Sequence, residues 1–237
     1  MAKDLTAIIL MIFIGGLAGV ERFALFQFSL SRPFIISVIM GYMFNFLTPF
    51  LYIGLFFEIL WLYKLPIGSV TPPHEVIGVF SSLITYYMGI NLLHGNVYIV
   101  MSWAIFVGII AGWTGKRADS MLRLLITRIS SNIEVELEKG NVSVLNGSLF
   151  RILAFNLSFH FFSLLAITVI SLVLTYILLS INILIKPSYI FATSLSTILI
   201  GGISIIYNRD KFKVFTAYFL LTLMGFMIYN FLKWDLI

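Results

Sequence analysis

Long apolar runs dominate this chain and leave it few ways to fold. Residues 5–20, 76–93, 97–115, 188–207 and 212–232 are each apolar over about the length of a helix. Residues 151–185 form a longer stretch, too long for one untilted span, closed by Asn182, Lys186 and Pro187. A bilayer's hydrocarbon core takes about 20 such residues to cross as a helix. Backbone polar groups inside it must be satisfied within the segment, which favours helices. Soluble domains carry about 25% charged residues. This chain of 237 residues carries 11%, with 60% hydrophobic residues and a mean hydropathy of +1.05. It reads as an all-α integral membrane protein that crosses the bilayer several times.

Composition excludes several chemistries. Without cysteine there is no disulfide, no thiolate metal site and no Cys nucleophile. The three histidines, His74, His94 and His160, are far apart and form no metal-ligand motif, so neither a metal nor another cofactor is expected. The net charge of +5 reports membrane topology rather than nucleic-acid binding. Two basic segments, residues 116–128 and the Arg209/Lys211/Lys213 loop, lie two spans apart, so both can be cytoplasmic; the connection near Lys186 and the C-terminus then lie outside. The N-terminal run lacks a cleavage signature and reads as a retained span.

Glu58 stands alone in residues 51–63, a hydrocarbon run with no other charge. A charge at the centre of a span costs about 2.5–3.5 kcal/mol on insertion scales, which makes an intramembrane carboxylate a functional candidate. Residues 34–46 and 51–63 are both short of a full span, and Gly41, Asn45, Pro49, Lys64, Pro66 and Gly68 interrupt or follow them. Short, interrupted apolar pieces in succession point to re-entrant or broken helices lining a polar cavity, here in the N-terminal half. The Gly15–Gly19 and Gly108–Gly112 spacings read as close helix crossings. Residues 116–128 mix basic and aliphatic residues at near-helical spacing and predict an interfacial amphipathic helix. The chain thus divides into an N-terminal membrane part (1–115), an amphipathic cytoplasmic connection (116–148) and C-terminal transmembrane helices (149–237), integrated into one domain.

From Phe26 to about Leu83 the chain resembles the membrane IIC subunit of the mannose/fructose/sorbose family of the bacterial phosphoenolpyruvate-dependent sugar phosphotransferase system. The matching residues are Phe26-Gln27, Ser31-Arg32-Pro33, Gly41, Ile53-Gly54, Glu58, Trp61, Leu62, Ile67-Gly68 and Pro72-Pro73. Asn45 stands near the place of a usual acidic residue, and Pro73-His74-Glu75 replaces a usual proline-aspartate. The resemblance implies a multi-pass permease of the bacterial inner membrane, partnered by a IID membrane subunit and a cytoplasmic IIB phosphocarrier in a larger oligomer. A hexose-type sugar would be bound in the membrane, moved inward and phosphorylated by IIB, with no phosphorylated residue on IIC itself.

The candidate substrate-binding residues are Glu58, Gln27, Arg32, Asn45, His74 and Glu75. Glu58 can accept hydrogen bonds from sugar hydroxyls, or serve as the partner of an arginine or of backbone N–H groups. Gln27 and Arg32 flank a helix start preset by Pro33, where they hydrogen-bond a sugar or pair with Glu58, or Arg32 snorkels to the interface. Asn45 is expected in a short apolar helix, and His74 and Glu75 on a rigid loop tip. Trp61 reads as an aromatic-belt residue and His160 as a structural hydrogen-bonding one. No residue is expected to be catalytic. Two rival readings remain: an ion-coupled transporter of a small polar solute, and a non-transporting subunit descended from IIC.

Overall fold

A computed structural model describes residues 2–21, 28–61, 73–141 and 143–180. Among these residues the chain forms six α-helices and no strand: α1 (Ala2–Glu21), α2 (Pro33–Met43), α3 (Leu47–Trp61), α4 (Glu75–Asn91), α5 (Val97–Glu138) and α6 (Val144–Ser180). Three of them, α1, α5 and α6, are long and apolar enough to cross a membrane. The all-helical membrane reading therefore holds for the described residues. The two expected C-terminal spans and the loop with Arg209 lie outside them, as do Gln27 and residues 62–72.

The core is built around α4. Every residue of α4 from Val76 to Gly89 is buried, and α4 packs against α1, α2, α3, α5 and α6. A helix apolar all round is stable only when enclosed in this way. Glycines set the closest approaches. Gly78 of α4 meets the Gly108 carbonyl of α5, and Gly15 of α1 meets Phe80 of α4 and Leu164 of α6. Gly19 lies against the His160 ring. Both glycine spacings in the sequence are thus helix crossings. Pairing of Asp4 with Tyr87 and of Trp103 with Thr175 fixes directions: α1 and α5 run one way, α4 and α6 the other.

The two short segments form an antiparallel helical hairpin. Pro33 occupies the first turn of α2, where its missing N–H costs nothing. Phe44, Asn45 and Phe46 make the turn, with the Phe46 N–H bonded to the Gly41 carbonyl at 2.9 Å. Gly41 abuts Leu47 and Phe50, while Gly54 abuts Ser37 and the Pro33 carbonyl. At about 1.5 Å per residue, α2 and α3 are only about 16 and 22 Å long, against a hydrocarbon core of about 30 Å. The hairpin's open end lies beside the end of α1 and the start of α4. Its tip reaches the other half of α4, where Phe44 and Phe46 meet Tyr87 edge-on and Phe46 and Phe50 meet Tyr86.

One expectation changes. Residues 116–138 are not a separate interfacial helix; they continue α5 without a break. No glycine or proline interrupts them, and an Asp119–Arg123 pair at 3.1 Å bridges successive turns. The helix ends at Gly140, whose φ of +82° suits glycine. There the Asn141 and Gly140 N–H groups bond back to the Glu136 and Leu137 carbonyls, a Schellman closure. Nor do the divisions at 115/116 and 148/149 coincide with helix ends, since α5 and α6 run through them.

Candidate functional site at the hairpin base

Arg32 is the N-cap of α2, yet its side chain has no acceptor with which to cap the helix. Glu58, near the end of α3, supplies one. Its Oε2 accepts the Phe34 N–H at 3.2 Å, and its Oε1 accepts from Arg32 Nη1 at 3.4 Å. The carboxylate thus meets both a guanidinium and the positive end of a helix. Of the roles foreseen for Arg32, the structure shows pairing with Glu58. The pair is open to its surroundings: the side chains are 47% and 23% exposed.

A second carboxylate stands next to this base. Glu21 closes α1 and is buried; its Oε2 accepts the Ser31 N–H at 2.9 Å, one residue before Arg32. Its Oε1 is buried with no hydrogen-bond partner among the described residues. Asp119 of α5 is similar: buried, bonded to Arg123 through Oδ2, and without a partner at Oδ1 among the described residues. Neither was among the sequence candidates. The signal was present in Glu21, an acidic residue ending a long apolar helix where the dipole disfavours it.

Two candidates sit differently from expectation. Asn45 is not inside a helix but exposed in the α2–α3 turn, with φ of +60°, a conformation asparagine tolerates better than most residues. It borders a shallow depression of about 390 Å³ with Tyr42, Thr48 and Pro49. This is the hairpin tip, about 16 Å along α2 from Arg32. His74 is not on a loop tip but is the buried N-cap of α4, 1% exposed. The chain after the two prolines turns inward because the His74 N–H bonds to the Gly112 carbonyl of α5 at 2.9 Å. Glu75 follows in the first turn of α4, half-buried, where a negative charge suits the helix dipole. Trp61 likewise leaves the expected belt: it is buried, stacked on Phe57 at 4.6 Å, and packed on Gly78 and Gly112.

His74 brings an unexpected neighbour. Its Nε2 lies 2.9 Å from Nε2 of His160, a residue 86 positions away on α6, and both rings are buried. His74 Nδ1 accepts the Ile77 N–H at 3.3 Å, and His160 Nδ1 lies 2.8 Å from the Asn156 carbonyl. No cluster of three or more potential metal ligands occurs among the described residues. The structure therefore joins Arg32 with Glu58 and places Asn45 apart. His74 and Glu75 begin α4, and Gln27 lies outside the described residues. No known protein-family model matches the chain, and no curated protein matches it significantly.

Proposed function

We propose that this chain is the IIC-type permease subunit of a mannose-type sugar phosphotransferase system, a multi-pass protein of the bacterial inner membrane. The observation that supports this reading best is the Arg32–Glu58 pair at the open end of a hairpin whose helices are each too short to span. In this reading the hairpin is re-entrant, entering and leaving on the side where the basic part of α5 emerges. By the positive-inside rule that side is cytoplasmic. Glu58, Arg32 and Gln27 contact a hexose-type sugar near the cytoplasmic opening, where a IIB carrier phosphorylates it; a IID subunit completes the membrane assembly. The test is co-expression with IID and IIB of such a system. Intracellular sugar phosphate should form, and Glu58→Gln should lower its rate. A lost hydrogen bond to a charged acceptor weakens binding by about 1.5–3 kcal/mol, roughly one to two decades. Unchanged uptake in Glu58→Gln removes Glu58 from the site. No phosphate transfer across a panel of hexoses and amino sugars rejects the reading.

Ion-coupled uptake of a small polar solute is the second reading, favoured by the two buried carboxylates Glu21 and Asp119. It requires uptake by the chain without any phosphocarrier, dependent on a sodium or proton gradient.

A further inference from the structure

We propose that the His74–His160 pair is a proton-binding site whose occupancy decides whether the start of α4 stays joined to α6. This inference does not depend on the substrate or on the transport mechanism.

The argument begins with atoms that have no choice. A backbone N–H only donates, so His74 Nδ1, which receives the Ile77 N–H, carries no proton. A neutral His74 therefore holds its proton on Nε2. A backbone carbonyl only accepts, so His160 Nδ1, facing the Asn156 carbonyl, carries the proton. A neutral His160 therefore offers a bare Nε2. The two Nε2 atoms, 2.9 Å apart, are then one donor and one acceptor. One assignment of two protons satisfies all four ring nitrogens, and both rings are neutral in it.

A third proton breaks this arrangement wherever it goes. On His160 Nε2 it sets two N–H groups against each other at 2.9 Å. On His74 Nδ1 it confronts the Ile77 N–H and removes the N-cap of α4. In either case a contact must open, and the rings are held on different helices with little room to adjust. Gly19 of α1 lies against the His160 ring, and Gly115 of α5 lies against the His74 side chain. Protonation is thus coupled to displacement of the α4 N-terminus from α6.

Among the described residues, the charged groups at this end of the surrounding helices are Glu21 at the end of α1, Glu75 beside His74 on α4, and Lys116, Arg117 and Asp119 on α5, the last bound to Arg123. The hairpin contributes the Arg32–Glu58 pair, and α6 itself brings only Arg151.

The chain has only three histidines, so ring-¹⁵N histidine NMR of the protein in lipid nanodiscs can follow each one. At neutral pH, His160 should show the Nδ1–H form and His74 the Nε2–H form, with exposed His94 as comparison. Both rings in the Nε2–H form would overturn the proposal. On acidification the His74 and His160 signals should change together, and the protection of the Ile77 amide, its exchange rate measured against the intrinsic rate at each pH, should fall about fivefold, the equivalent of one lost cap. His74→Asn keeps a capping oxygen but no ring nitrogen, and in it the protection of Ile77 should no longer change with pH. His74 and His160 titrating separately in the wild-type protein, or a protection that still falls on acidification in His74→Asn, would also overturn it.

Discussion

Gly108 offers a sharp test of how closely α4 and α5 are joined. A Cβ added there would lie 2.5 Å from Phe57 Cζ, 2.7 Å from the Gly78 carbonyl oxygen and 2.8 Å from Ser82 Cβ. The ring could turn, but a backbone carbonyl and a Cβ cannot move without moving α4. Relief requires α4 and α5 to separate by several tenths of an ångström. Overpacking of this kind costs about 1–3 kcal/mol, and replacing glycine within a helix returns about 0.5–1 kcal/mol. Gly108→Ala should therefore destabilise by about 0.5–2 kcal/mol. Gly147 of α6 is the control, because among the described residues a Cβ there meets nothing closer than the Arg151 side chain at 3.8 Å. Gly147→Ala should stabilise by about 0.5–1 kcal/mol. The same chemical change thus has opposite signs at two sites, and the two variants differ by about 1–3 kcal/mol, up to about two decades in the folding equilibrium. Reversible unfolding in mixed detergent micelles, followed by circular dichroism, measures the difference. If Gly108→Ala proves as stable as Gly147→Ala, α4 and α5 do not touch backbone to backbone. The placement of His74 against Gly112 and Gly115 would then fail as well.

Other outcomes follow from single contacts. Glu58→Gln should change stability by about 1 kcal/mol or less, because its arginine partner is half exposed. Glu58→Ala also deprives the Phe34 N–H of its acceptor and should cost about 1 kcal/mol more, as the same unfolding assay would report. At the hairpin turn, Asn45→Gly should be nearly neutral, whereas Asn45→Val, forced to a φ of +60°, should cost about 1–2 kcal/mol. In this cysteine-free chain, Thr127→Cys on the exposed basic stretch of α5 should react with an impermeant maleimide only after the cells are opened. Reaction in intact cells would reverse the orientation.

The helices were legible where apolar periodicity and punctuation agree. Pro33 marks the start of α2, and the interrupted stretch from Phe34 to Trp61 becomes the hairpin, with Asn45 at its turn. The Arg32–Glu58 pairing was among the roles considered for Arg32, because an intramembrane carboxylate needs a partner. The course of α5 was not read correctly, because a change from apolar to basic composition alters a helix's surroundings without ending the helix. Only Gly140 supplies the left-handed residue that stops it. Trp61 looks like a belt residue by composition, but Gly78 and Gly112 leave a slot that its ring fills. The His74–His160 contact was beyond reach for another reason. Each imidazole signals only that it needs a partner, and a separation of 86 residues carries no local trace of which.

The enclosure of α4 also has a consequence for biosynthesis. α4 emerges from the ribosome before α5 and α6, the two helices that complete its wrapping. Until they arrive, Ser82, which is buried in the finished protein and lies against Gly108 of α5, lacks that cover. A chain stalled between α4 and α5 would therefore leave this hydroxyl group exposed. The short connection through Asn96, whose side chain caps α5 by accepting the Tyr98 N–H at 3.0 Å, keeps that interval brief.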